Sequence, residues 1–149
     1  MSEDAAAGGF RGYIVSRPVG GVPYPHKIQN LMVRDYCRRK GLPFLLSLTE
    51  VSVPGSFMML HALLQNLEGL RGIVLFSQFV LPHARAERFK IYDRVLDAGL
   101  QLHAALEENV IATRAEVAAF EAPLAIAPWL PATPFAGKFP AASKEDFGL

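Results

Sequence analysis

Gly72-Ile73-Val74-Leu75-Phe76-Ser77 is the stretch on which the fold turns: an unbroken apolar run of strand length, rich in β-branched residues and closed by a serine. A strand with water on one face alternates apolar and polar side chains. A continuous apolar run suits a strand buried on both faces, and such strands belong to parallel sheets covered by helices. Upstream, Pro43-Phe44-Leu45-Leu46-Ser47-Leu48 has the same character and ends at Thr49-Glu50, so it too reads as a strand buried on both faces.

Helical patterns separate these runs. Phe10 to Ser16 reads as a first strand, broken by Arg17-Pro18-Val19-Gly20-Gly21. Pro25 suits a first helical turn, after which Ile28, Leu31, Met32 and Tyr36 recur at helical spacing up to the basic exit Arg38-Arg39-Lys40-Gly41. Ser56 is placed to N-cap a second helix whose apolar stripe is Phe57, Leu60, Leu63, Leu64 and Leu67. Beyond Pro82 a third helix carries Phe89, Ile91, Tyr92, Val95 and Leu96 and stops at Gly99. Leu100 to Leu106 is the fourth strand, and its alternation, with Gln101, His103 and Ala105 on one face, places it near an edge. The predicted fold class is therefore α/β, a three-layer α/β/α arrangement around a mostly parallel sheet of four to five strands.

Thr113 to Glu121 reads as a further helix, opened by a capping box of Thr113 and Glu116. The expected organisation is a flexible N-terminus over residues 1–9, an α/β domain over 10–121 and a C-terminal extension over 122–149. That extension holds five of the 11 prolines beside Trp129, Phe135 and Phe139, and is expected to run as extended chain over an apolar surface of its own or of a partner.

Composition narrows the function. The 149 residues are 51% hydrophobic and 19% charged, enough for one real core and too apolar for a disordered chain. A formal charge of +1 supplies no global field toward nucleic acid or anionic lipid. The lone cysteine, Cys37, excludes an intrachain disulfide and reads as a small buried hydrophobe. With no signal-peptide pattern and no run near the ~18 apolar residues of a membrane span, the expected location is the cytoplasm. His26, His61, His83 and His103 lack ligand spacing, so no metal is expected; nor is any cofactor, since no GxGxxG, P-loop or GxSxG motif occurs.

In open parallel sheets, ligands bind outside the carboxyl ends of the strands, near the point where strand order reverses. Polar residues gather on those ends here: Ser16-Arg17, Thr49-Glu50, Ser77-Gln78 and Glu107-Glu108. Ser16, Glu50, His103 and Glu107 are the catalytic candidates, the serine to bind or attack and the others to manage protons. Arg17, Gln29, Arg34, Ser77 and Gln78 are the substrate-binding candidates, the arginines because a guanidinium forks onto phosphate or carboxylate.

Two resemblances add to this reading. Tyr13-Ile14-Val15-Ser16, a glutamine-bearing first helix and the segment from Leu60 to Leu75 resemble, over residues 11–111, the resolvase-type catalytic domain of serine recombinases. The family's Tyr-x-Arg-x-Ser is absent, since Ser16 precedes Arg17, and Ser77-Gln78-Phe79-Val80-Leu81-Pro82 stands where its Asp-Arg-x-x-Arg belongs. The resemblance thus implies a resolvase-like or flavodoxin-like architecture without DNA cleavage. Over residues 10–111 the chain also resembles the small sporadic carbohydrate cluster proteins found beside bacterial sugar-biosynthesis genes. The matching stretches are Arg11 to Pro18, Gln29-Asn30-Leu31, Arg34-Asp35-Tyr36-Cys37, Thr49-Glu50, Gly72-Ile73-Val74, Leu81-Pro82 and Leu102-His103.

That second resemblance implies a role in making or modifying a glycan or sugar-derived metabolite. The expected protein is a small enzyme, or enzyme-like subunit, acting on an anionic sugar-derived intermediate. Two alternatives stand beside it: a non-catalytic scaffold for another biosynthetic enzyme, and a degenerate recombinase-fold module that binds DNA. Self-association is expected, because the apolar extension and short helices leave surface to cover.

Overall fold

In the computed structural model, residues 8–51 and 56–126 are described. The chain divides into two units, Met1–Val117 and Ala118–Leu149. The first unit contains strands β1 (Gly9–Val15), β2 (Phe44–Glu50), β3 (Leu70–Leu75), β4 (Gln101–Ala104) and β5 (Asn109–Ile111). Its helices are α1 (His26–Lys40), α2 (Met58–Leu64) and α3 (Arg85–Asp97), with short 3-10 turns at Gln78–Val80 and Arg114–Glu116. Helix α4 (Val117–Ile126) begins at the end of this unit.

The strands form one sheet in the order β2-β1-β3-β4-β5, parallel except for β5, so the α/β class and the mostly parallel sheet are as expected. β1 and β3 lie inside the sheet, which explains why Tyr13, Ile14, Val15 and Ile73 to Phe76 are all buried. α1 packs on β1 and β2, while α2 packs on β2 and α3.

Several expectations change. β2 is an edge strand and is not buried on both faces: Leu46 is 75% exposed, and the register slips from Phe10↔Phe44 to Gly12↔Ser47, so β2 bulges at Leu45-Leu46. A bulge of this kind twists an edge away from regular pairing. β4 is covered on its outer side by β5, with Glu108 taking a left-handed φ of 57° in the tight turn between them. β4 thus lies next to the three-residue edge strand β5, in keeping with the near-edge position that the alternation along Leu100 to Leu106 predicts.

The buried face of α1 is also rotated from the expected stripe. Gln29, Val33, Tyr36 and Cys37 point inward, while Ile28 and Leu31 are exposed. α1 stops as expected at Gly41, whose φ of 69° lets its N–H bond back to the Arg38 carbonyl. Cys37 is buried, and that burial pushes its thiol up to about 11, consistent with a packing role.

At α2 the residue in the cap position is Phe57, with no capping side chain of its own. The capping box of Thr113 and Glu116 is present, although it opens a 3-10 turn ahead of α4. Helix α4 continues through Pro123 to Ile126, so residues 122–126 are helical rather than extended. The rest of the predicted extension lies outside the described residues, as do residues 1–7 of the predicted flexible N-terminus.

Candidate functional site at the carboxyl ends of the strands

Strand order reverses between β1 and β3, because the chain leaves β1 for β2 on one side and later returns to β3 on the other. The crevice outside the carboxyl ends of these two strands is where such sheets bind ligands. The chain leaving β1 there is Ser16-Arg17, and the chain leaving β3 is Ser77-Gln78.

Ser16 is exposed and its Oγ lies 2.8 Å from Nε2 of His26, the first residue of α1. The pair is held from below. The Ser16 N–H donates to the Glu50 carbonyl at 2.9 Å, anchoring the end of β1 to β2. Gln29, fully buried, accepts from the Val15 N–H at 3.0 Å and donates to the carbonyls of Val15 at 2.7 Å and Tyr24 at 2.9 Å. One amide side chain thereby ties the end of β1 to the loop that delivers His26. Gln29 belongs to the scaffold of the site and is buried beneath it.

The start of α1 adds positive potential. Pro25 occupies the cap position in extended conformation with no side-chain cap, and the first-turn amides of a helix have no partner within it. A hydroxyl, an imidazole and uncapped helix amides thus meet at one exposed point. With Nδ1 protonated, His26 Nε2 accepts the Ser16 hydroxyl proton, the geometry of a nucleophile beside its base.

The remaining predicted residues build the rim and are engaged with it. Glu50 is 2% exposed, and its carboxylate accepts from the Tyr13 hydroxyl at 2.7 Å and from the first-turn amides of Met59 and Leu60. It supplies from β2 the cap that α2 lacks locally. Burial, then the hydrogen bond to Glu50, raises the Tyr13 phenol well above its ordinary range. Arg17 donates to the carbonyls of Ser56 at 3.3 Å and Val80 at 2.7 Å, and its guanidinium stacks 4.4 Å from the centre of the Phe57 ring. It clamps the chain after β2 to the chain after β3.

On the far side of β3, buried Ser77 donates to Glu107 Oε2 at 2.6 Å. Glu107 Oε1 accepts from the Gln78 N–H at 2.9 Å, and Asn109 donates to the Gln78 side chain at 2.7 Å. Ser77 and Glu107 thus form a lock between the ends of β3 and β4.

His103 and Arg34 fall elsewhere. His103 has Nδ1 2.7 Å from the Tyr36 hydroxyl on α1 and Nε2 2.8 Å from Gln101 Oε1. Both ring nitrogens are occupied, and the Phe10 and Tyr36 rings meet the imidazole edge-on. Burial, reinforced by the Lys40 charge, lowers its pKa to about 4. Arg34 lies on the outer flank of α1.

The His103 environment gives a measurable pH dependence. Its ordinary value is 6.5, so between pH 6.5 and 4 the unfolded chain binds a proton that the folded chain refuses. Stability is expected to be complete above pH 6.5 and to fall below it, by up to about 3 kcal/mol at the acid end. Urea unfolding of the parent and of His103→Gln from pH 7.5 to 4 checks this. The variant should lose less stability on acidification, and parallel curves would contradict the assignment.

His26, Tyr13 and Asn109 were not among the sequence-predicted site residues. For His26 the signal was present: the first turn of the helix after a parallel strand lies at that strand's carboxyl end, so a histidine directly after Pro25 faces the rim. Among the described residues no group of three or more His, Cys, Asp or Glu side chains is placed to hold a metal ion. No helix among them is long and apolar enough to cross a membrane. No protein-family model, curated protein or solved structure matches the chain.

Proposed function

We propose that this protein is a small enzyme, or enzyme-like subunit, that binds an anionic sugar-derived intermediate at the carboxyl ends of β1 and β3, with Ser16 and His26 as its reacting groups. The observation that carries the reading is the exposed Ser16–His26 contact of 2.8 Å at the switch point of the sheet. A phosphate or carboxylate suits the uncapped first turn of α1. Hydroxyls of the same molecule find donors and acceptors in Ser16 and His26.

The likeness of Ser16-Arg17-Pro18 and Arg34-Asp35-Tyr36-Cys37 to the carbohydrate cluster proteins supports the sugar class. In this reading Gln29, Glu50, Ser77 and Glu107 position the rim, and Arg17 holds its two loops together. Proton handling, first assigned to Glu50, Glu107 or His103, passes to His26, because those three side chains already have fold-building partners.

A thermal-shift series with sugar phosphates, sugar acids and nucleotide sugars tests the proposal. A ligand at 100 times its Kd stabilises the native state by about 2.7 kcal/mol. One of these classes is expected to raise the melting temperature of the parent, with the increment lost in both Ser16→Ala and His26→Ala. Equal increments in parent and variants, or none with any class, would refute the assignment.

A further inference from the structure

Away from the rim, the outer flank of α1 and the start of β2 enclose an open groove of about 990 Å³. Its apolar surface comes from Leu31, Leu42 and Phe44, and its charges from Lys27, Arg34 and Arg38, with Asp35 as the one acid. Leu31 is 62% exposed, and Leu46, two residues beyond Phe44 on β2, is 75% exposed. Asp35 pairs with Arg38 and Arg39, whereas Lys27 and Arg34 have no ion pair among the described residues.

The cations form a line rather than a scatter. Lys27, Leu31, Arg34 and Arg38 recur at helical spacing on one stripe of α1, which puts Lys27 and Arg34 about 10 Å apart along the axis. We infer that this groove binds an acidic amphipathic helix of a second protein, its apolar stripe on Leu31, Leu42 and Phe44 and its carboxylates on Lys27 and Arg34. A helix laid along α1 with acidic side chains at i and i+7 on one face reproduces the same spacing.

Charge complementarity selects this occupant. A second copy would bring the same cationic stripe against itself, and the bulge at Leu45-Leu46 removes the regular edge that strand addition needs. A nucleic acid would neutralise the cations but leave the exposed leucines unpartnered. The inference is independent of the Ser16–His26 reading, since none of the groove residues belongs to that pair.

The test uses the full chain and a fluorescein-labelled helical peptide with a leucine stripe flanked by glutamates, beside a counterpart with glutamine for glutamate. Anisotropy should show saturable binding of the glutamate peptide, at least 10-fold tighter than the glutamine peptide and weakened by salt. Arg34→Glu and Leu31→Asp should each weaken it at least 10-fold while melting like the parent, because both side chains are exposed. Absence of binding, equal affinity for the two peptides, or unchanged affinity in both variants would overturn the proposal. So would equally tight binding of a DNA duplex competing for the same groove, or light scattering that shows a parent dimer dissociated by Leu31→Asp.

Discussion

Replacing Gly72 with alanine is expected to lower the melting temperature by about 10 °C. A Cβ at position 72 would sit 2.4 Å from the Gln101 carbonyl oxygen on β4 and 2.5 Å from the Phe10 ring. The ring could turn aside only into the packing around Tyr36 and His103, because Phe10 is fully buried and meets His103 edge-on. The carbonyl belongs to the neighbouring strand, so β3 and β4 would have to separate where Gly72 faces Gln101. Overpacking of this kind costs about 3 kcal/mol, which is about 10 °C for a unit of this size. Thermal unfolding followed by circular dichroism decides it; a melting point within about 2 °C of the parent would show that β3 and β4 are not this close.

Glu50→Ala is the second large effect. The carboxylate is buried and has three donors, so its removal strands the buried Tyr13 hydroxyl and Leu60 amide and leaves the part-buried Met59 amide without its acceptor. Unsatisfied buried donors cost about 1–3 kcal/mol each, and partial relaxation of the start of α2 brings the expected loss to about 4 kcal/mol. Glu50→Gln keeps one acceptor oxygen and should lose about half as much. Urea unfolding of the three proteins tests the order parent, glutamine, alanine. If the alanine variant matched the parent, Glu50 would not cap α2, and its return to the list of proton-handling groups would follow.

The architecture was legible because its signals are local. Apolar runs such as Ile73 to Phe76 report double burial, and Gly41 and the Thr113–Glu116 box report chain ends, without reference to any distant residue. What the sequence could not supply was partnership. Phe44 to Leu48 has the composition of an inner strand, yet strand order makes it an edge, and nothing within the run encodes that order. The inward face of α1 was misread because Gln29 is buried and Ile28 is not; hydropathy ranks those two the wrong way round, and only the open hydrogen-bonding groups of Val15 and Tyr24 explain the choice.

The candidate site divides along the same line. Placing Ser16, Glu50, Ser77 and Glu107 at strand ends needed only the α/β pattern, and the structure puts them there. Separating the side chains tied into the fold from the exposed Ser16–His26 pair needed the contacts. Glu50, Ser77, Glu107 and Arg17 are polar for the sake of the fold, whereas the exposed serine acquires its partner from a histidine ten positions along, across a proline-rich loop.

The position of β1 inside the sheet also bears on the order in which the protein can be built. Synthesis delivers β1 first, yet both of its neighbours are encoded later, and β3 closes its second side only when Leu70 to Leu75 has left the ribosome. Until then Tyr13, Ile14 and Val15 have an open hydrogen-bonding edge and uncovered side chains, the kind of nascent segment that chaperones bind. The same topology makes the central pairing of the sheet depend on contacts more than fifty residues apart, which slows folding relative to a fold built from local contacts.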